Sequence, residues 1–580
     1  MRLIDHHLAY AVALCGAFAL TACGGGGNAE ETTGSKPASP TLTVSVATKQ
    51  LNFAWAAVDG ATHYRLFENP NGVSGFTQRG GELTGTGTTL TIAVHRHDWP
   101  LARYLLEACN GAGCTASNEV GTAGAMADAI GYLKASNVEA LDQFGSDVAL
   151  SGDGHTLAVG AVGEASATAD PNDNRAVDAG AVYVFTRDAG GTWREQAYLK
   201  ASNAGPSDFF GTDVSLSSDG HTLAVGAYGE ASVNADPDDD SARNAGAVYV
   251  FTRDAGGTWR ERAYLKASNA GAGDHFGIFI SLSSDGSTLA VGAWGEASGN
   301  ADPNDDRALN AGAVYIFTRD IGGAWREQAY LKASNAEAGD FFGVAVSLSN
   351  DGSTLAVGAN GETSANADPD DNSARGAGAV YVFTRDASGT WREQAYLKAS
   401  NVEPFDFFGI AVALSSAGDT LAVGAAGEAS ANGDPDDNTA RDAGAVYVFT
   451  RDAGTWREQA YLKASNAGAL DFFGIAVSLS SDGNTLAVGA ENEASAGVDP
   501  DDNSANNAGA VYVFGRDIGG ALREQVYLKS SNPGAEDFFG VVVSLSSDGD
   551  TLAVGAWGEA SDAAGPDNDN AESAGAVYLY

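Results

Sequence analysis

The sequence predicts an all-β chain: a seven-bladed β-propeller of four-stranded blades, closed by an N-terminal strand and preceded by a small β-sandwich. Three observations predict it. The string Tyr-Leu-Lys-Ala-Ser-Asn starts at Tyr132, Tyr198, Tyr264, Tyr330, Tyr396 and Tyr461 and returns as Tyr-Leu-Lys-Ser-Ser-Asn from Tyr527, at spacings of 66, 66, 66, 66, 65 and 66 residues. Apolar residues inside each copy follow a period of two rather than 3.6, which excludes a helical solenoid. Each copy also holds four strand-like runs with turn residues between them, a unit that buries its faces by stacking radially on copies of itself.

In chain order, residues 1–22 read as a processing signal. Arg2 opens a short basic region tempered by Asp5, and an apolar run from Leu8 to Leu20 is too short to span a bilayer. It ends in Leu20-Thr21-Ala22-Cys23, which resembles a bacterial lipobox. The resemblance implies cleavage before Cys23 and acylation of its thiol, and Gly24 in the next position implies sorting to the outer membrane. The alternative is an ordinary signal peptide with a chance cysteine. Each buried acyl methylene contributes roughly 0.8 kcal/mol, so several chains anchor firmly. Residues 23–40 are rich in Gly, Ser, Thr, Pro and Glu and read as a flexible tether.

Of four cysteines, Cys15 lies in the apolar run and Cys23 in the lipobox, leaving Cys109 and Cys114. In an oxidising compartment these two are expected to close a disulfide across a turn; a metal site is the rival, but no further Cys and no well-placed His completes it.

Residues 41–122 predict the sandwich. Leu51–Trp55, Tyr64–Glu68 and Leu90–Val94 are strand-like, with Gly, Asn and Pro clusters between them. Trp55, the Gly60–Leu66 stretch, and Tyr104–Asn110 with Gly113 resemble fibronectin type III modules, where such aromatics pack between two sheets. His63, His95 and His97 read as structural or surface residues.

The propeller occupies 129–580. In the second copy the expected strands are Phe210–Ser218, Thr222–Ala227, Gly246–Thr252 and Trp259–Ala267, with Asp219-Gly220 turning the first hairpin. The last copy stops after its third strand, at Tyr580, while a spare fourth strand, Ile130–Ser136, precedes the first. Pairing the two closes the ring and removes unpaired strand edges. Trp193, Trp259, Trp325, Trp391 and Trp456, with Leu522 in the sixth copy, recur as blade packing.

Phe-Gly opens each first strand, at Phe144, Phe210, Phe276, Phe342, Phe408, Phe473 and Phe539, and Val-Gly-Ala ends each second strand. These residues resemble the FG-GAP repeat of integrin α-subunit heads and of bacterial exported proteins. The resemblance implies recognition or adhesion through a face of the propeller. It departs in two places. The family's proline after Gly-Ala is replaced by Val162, Tyr228, Trp294, Asn360, Ala426, Glu491 and Trp557. The family's calcium loop shrinks to sequences such as Ser217-Ser218-Asp219-Gly220, and one carboxylate cannot supply the six to eight oxygens calcium takes. That site is not carried over.

Acidic residues outnumber basic ones 75 to 32, and a net charge of −43 excludes nucleic acid and anionic headgroups as partners. Much of the acid falls in the long loop between second and third strands. Its candidate calcium ligands are Asp170 and Asp173; Asp236, Asp238 and Asp239; Asp302 and Asp305; Asp368, Asp370 and Asp371; Asp434, Asp436 and Asp437; and Asp499, Asp501 and Asp502. The same face gathers an Asp before each Phe-Gly (Asp142, Asp208, Asp274, Asp340, Asp406, Asp471, Asp537) and a Glu after each second strand (Glu164 to Glu559), so a ring of carboxylates is expected there. Calcium or a solvated spacer are the two readings.

Where copies nearly agree, the positions that differ are those blade packing leaves open. Tyr228, Trp294 and Trp557 occupy one such position and are candidate contacts for a protein side chain or a sugar, with unconstrained drift the alternative. Catalysis finds little support: no nucleophile elbow, phosphate loop or His-Glu zinc motif occurs. Asp147 and Asp213, which break the repeat symmetry, are the one pair on which a polysaccharide hydrolase or lyase would rest. The expected function is a lipid-anchored envelope protein that binds a protein, or alternatively a glycan, without an enzymatic role.

Overall fold

The computed structural model describes residues 34–47, 49–70, 72, 74–91, 102–122, 130–188, 190–234, 239–300, 302–303, 305–366, 368, 371–435, 437–497, 499, 502–562 and 568–580. The signal segment, Cys23, His95 and His97 lie outside them. All regular structure among these residues is strand and no helix is long and apolar enough to cross a membrane.

The N-terminal unit contains β1 (Thr43–Ala47), β2 (Gln50–Ala54), β3 (His63–Asn69), β4 (Thr77–Leu83), β5 (Gly87–Thr91), β6 (Arg103–Asn110), β7 (Gly113–Ala116) and β8 (Val120–Gly121). One sheet runs β1-β2-β5; the other runs β4-β3-β6-β7, with β8 beside β6. Alternation in β3 and β6 buries Tyr64, Leu66, Tyr104 and Leu106 against Leu51, Phe53 and Trp55 of the other sheet. Phe53 and Tyr104 meet across the gap at 4.8 Å. The strand expected over Leu90–Val94 begins earlier, at Gly87, and its expected end is outside the described residues. Cys109 and Cys114 face each other in the β6–β7 ladder and are joined by a disulfide.

Seven four-stranded antiparallel sheets follow. Blade one comprises Phe144–Leu150, Thr156–Ala161, Ala181–Arg187 and Trp193–Leu199. Blade seven takes Val543–Leu545, Leu552–Ala556 and Ala576–Leu579 and borrows β9 (Gly131–Leu133) as its fourth strand, in register Val577↔Leu133, Tyr578↔Tyr132 and Leu579↔Gly131. The borrowed strand thus pairs where it was expected to, though the ladder uses only Gly131–Leu133 of Ile130–Ser136.

First strands are shorter than expected. In blade two Val214–Leu216 stands where Phe210–Ser218 was expected. Gly211 N–H still reaches Gly226 O, and Gly226 N–H reaches Asp213 O, but the residues between bulge out of the ladder. The repeat's own glycines explain the geometry. Gly211 has φ 95°, and a Cβ on Gly226 would overlap the carbonyl oxygen of Gly277 in the next blade. The Phe-Gly and Val-Gly-Ala glycines of each copy are therefore places where consecutive blades touch backbone to backbone. Each Phe of the Phe-Gly pair is fully buried; Phe210 packs edge-on against Tyr249 at 5.4 Å. Trp259, Trp391, Trp456 and Leu522 are buried in the blades, while Trp193 and Trp325 are half-buried.

Candidate functional site: the loop face

The loops between second and third strands, and those entering each first strand, share one face. Most of its recurring carboxylates are not free. Glu230 is 1% exposed and accepts from Lys266 Nζ (2.8 Å), Tyr264 Oη (2.9 Å), Ser232 N–H (3.1 Å) and, across the blade seam, Asn203 Nδ2 (3.4 Å). Asn203 Oδ1 in turn accepts from Tyr249 Oη at 2.6 Å, and Ser202 Oγ donates to Glu261 at 3.0 Å. Tyr264 and Lys266 thus serve their own blade, while Ser202 and Asn203 of the preceding copy staple that blade to the next. The same cluster closes the ring: Lys134 meets Glu559 at 2.9 Å and Ser136 Oγ meets Glu195 at 3.0 Å.

The Asp before each Phe-Gly is buried as well. Asp208 accepts from Gly205 N–H at 2.6 Å and shapes its own loop. Burial raises Asp142, Asp208, Asp340, Asp406 and Asp537 to about 7, and Asp274 and Asp471 to about 6. The expected open ring of carboxylates is thus corrected: its Glu and Asp members belong to the framework, because the loops need internal acceptors.

The acidic loops proper remain at the outer margin. The Asp three residues after the first Asp of each motif accepts from a polar side chain five residues earlier: Thr168 to Asp173 (3.1 Å), Asn234 to Asp239 (3.0 Å) and Asn366 to Asp371 (2.7 Å). Asn300 and Asn432 serve Asp305 and Asp437 in the same way. Backbone N–H groups of Asp173, Asp305, Asp371, Asp437 and Asp502 close turns onto the carbonyls of Asp170, Asp302, Asp368, Asp434 and Asp499. Asp236, Asp238, Asp370, Asp436 and Asp501 lie outside the described residues. Among the described residues, the sole group of three potential metal-ligand side chains whose ligand atoms lie within 4.8 Å of one another is Glu107, Cys109 and Cys114, where both sulfurs are in the disulfide.

Around the mouth of the central channel the picture changes. Residues just before each Phe-Gly (Gln143, Phe209, His275, Phe341, Phe407, Phe472, Phe538) all have left-handed backbone, φ 54–57°. The residues two places earlier (Leu141, Ser207, Gly273, Gly339, Phe405, Leu470, Glu536) are left-handed too, φ 63–87°. Each of these fourteen N–H groups donates to a carbonyl of the preceding blade's loop, which locks the conformation. Aromatic residues rarely adopt it, since it crowds Cβ against the following carbonyl. Of nine large apolar side chains exposed among the described residues, Leu141, Val177, Leu309, Phe405, Phe407 and Leu470 lie on this rim.

The three expected contact residues join this rim. Tyr228 stacks on Phe209 (4.9 Å, 2°), Trp294 on His275 (4.5 Å, 6°) and Trp557 on Phe538 (4.6 Å, 5°). Tyr228 also touches His275 at 5.7 Å, and Trp294 touches Phe341 at 5.4 Å, so five rings run continuously over blades two to four. Arg375 caps Phe405 at 6.0 Å. Sequence reasoning missed the partners of the stacks; comparing the copies at the position before Phe-Gly, where Gln, Phe and His alternate, carried the signal.

Inside the channel a cavity of about 350 Å³ has an apolar wall, including Phe279, Ile410, Val412 and Ile475, and a polar side of Ser146, Asp147, Thr212 and Asp213. Asp147 accepts from Val214 N–H at 2.5 Å and Asp213 from Ile280 N–H at 2.9 Å, both in the next blade. Burial, and for Asp213 the neighbouring Asp147 charge, raise both carboxyls. Each carboxyl therefore holds a seam between blades.

Seven segments, 130–185, 193–251, 259–317, 325–383, 391–449, 456–514 and 522–580, match the FG-GAP repeat. No curated protein matches the sequence. Among solved structures the chain is similar to U3-55K (10% identity, TM-score 0.41, covering 78% of this chain and 98% of that one). It is also similar to the RRP9 WD40 repeats (11%, 0.40, 77% and 96%) and an Fn3-like protein from Clostridium thermocellum (26%, 0.13, 15% and 90%).

Proposed function

The chain belongs to the FG-GAP repeat family, and on that premise we propose that it is a lipid-anchored cell-envelope protein that binds a protein ligand with the loop face of its propeller. The observation that carries the reading is the rim: exposed aliphatic and aromatic side chains around the channel mouth, with Leu141, Phe405, Phe407 and Leu470 held on left-handed backbone. Apolar anchors and arginines inside a polar, charged margin are the anatomy of a protein contact surface. Backbone strain in aromatic residues is kept where a function uses them. Leu20-Thr21-Ala22-Cys23 and the tether after it support an anchor at the outer membrane.

The test compares binding of purified envelope and matrix proteins to the soluble chain starting at Gly24 and to its Phe405→Ala/Phe407→Ala/Leu470→Ala variant. The expected result is saturable binding that weakens at least tenfold, about 1.4 kcal/mol, with an unchanged melting temperature. Binding indifferent to the variant places the contact elsewhere. A glycan ligand is the second reading, favoured by the three coplanar stacks of Tyr228, Trp294 and Trp557; a glycan array with those three changed to Ala separates it. Calcium dependence rests on the oxygen density of the outer loops. Calorimetric titration of chelator-treated protein should show weak saturable binding and a higher melting temperature; no heat at millimolar calcium rejects it.

A further inference from the structure

On the face opposite the rim, turns join first to second and third to fourth strands. At three of these places a glutamine from one blade's fourth strand reaches the third-to-fourth turn of the next. Gln196 Nε2 donates to Gly257 O at 2.7 Å, Gln328 to Gly389 O at 2.6 Å and Gln394 to Gly454 O at 2.6 Å. Blade one lacks this donor. The residue equivalent to Gln196, 66 positions earlier, is Ile130, because the fourth strand of blade seven is the borrowed β9. That strand also makes the shortest of the seven fourth-strand ladders, with three register pairs where blade two's fourth strand has six.

The β1–β2 hairpin of the sandwich stands in the vacant place. Gln50 Nε2 lies 3.7 Å from where a Cβ on Gly191 would be, and Gly191 is blade one's counterpart of Gly454, where Gln394 Nε2 lies at the same 3.7 Å. Beside it Lys49, with φ 55°, is only 5% exposed. Its ammonium interacts with Asp548 and Asp550 in the first-to-second turn of blade seven, and with Arg187 at the end of blade one's third strand. Among the seven equivalent turns, blade seven's Asp548-Gly549-Asp550 alone carries carboxylates on both sides of its glycine. Burial pulls Lys49 down to about 8 despite those carboxylates, so the charge serves to register the contact more than to strengthen it.

We propose that the sandwich is a working part of the ring closure: its β1–β2 hairpin docks on the seam between blades seven and one and replaces the contacts that the split blade cannot make. Docking there also places the N-terminal module on the face opposite the rim, leaving the rim open to a partner.

Brief acetylation of the soluble chain starting at Gly24, read by mass spectrometry, tests this at two lysines. Exposed Lys36 should react at least about tenfold faster than Lys49, because Lys49 reacts only when the contact opens. Asp548→Asn/Asp550→Asn should bring Lys49 close to the Lys36 rate. Equal rates in the unaltered chain overturn the docking, and so does protection that survives the double variant, since the sandwich alone would then bury Lys49. A charge swap checks the contact independently: Lys49→Glu should lower the melting temperature and Asp548→Lys/Asp550→Lys should restore it. Failure to restore it overturns the proposal.

Discussion

Glu230 and Lys266 show what a repeated residue does in this chain. Their pair is buried, at 2.8 Å, and shares its acceptor oxygens with Tyr264, Ser232 and the neighbouring blade's Asn203. Changing Lys266→Met leaves a carboxylate in the interior without its cation, which costs about 3–5 kcal/mol. Urea unfolding should show that loss, and Glu230→Met in the same chain should recover part of it. The rim predicts the reverse pattern. Phe405 sits at φ 71° and is half exposed, so Phe405→Gly relieves a left-handed strain of about 1–2 kcal/mol and forfeits little burial. Equal or higher stability with weaker ligand binding is expected, and a large destabilisation would show that the ring packs rather than recognises.

At the scale of elements, the borrowed strand is decisive. β9 contributes Tyr132, packed at a tilt against Tyr578 at 5.5 Å, and leads into Lys134, the partner of buried Glu559. Deleting residues 130–136 opens the ring, strands a buried carboxylate and exposes a strand edge. The whole propeller should then melt earlier by circular dichroism; an unchanged transition contradicts closure by this strand. The strand periods, turn dipeptides and borrowed strand were all legible in the sequence. The shortening of the first strands was not. It follows from backbone contact between glycines of adjacent blades, which no single copy of the repeat reveals.

For the whole molecule the buried Asp ring sets the pH response. Asp142, Asp208, Asp340, Asp406 and Asp537 rise to about 7 from the ordinary value of 3.8, through burial. Between those values the folded chain holds protons the unfolded chain has released, so stability is fullest near pH 4 and declines as pH rises through 7. Self-repulsion of a chain carrying −43 acts in the same direction. The melting temperature should therefore be higher at pH 5 than at pH 8, and Asp208→Asn should flatten the slope. A flat profile in the unaltered chain would contradict the burial.

By itself the sequence determined the number of blades, the strand order, the closure and the candidate rim residues Tyr228, Trp294 and Trp557, because period and spacing are one-dimensional properties. Only the tertiary structure decided which carboxylates are framework and which are surface. Glu230, Asp208 and Asp239 look alike along the chain, but their partners come from another strand, their own loop turn and a neighbouring asparagine. The ring stacks beside Phe-Gly, and Gln50 standing where a blade's own glutamine is missing, depend on residues far apart in sequence. Burial and hydrogen bonding across seams give identical side chains different roles, and those are set only when the ring is assembled.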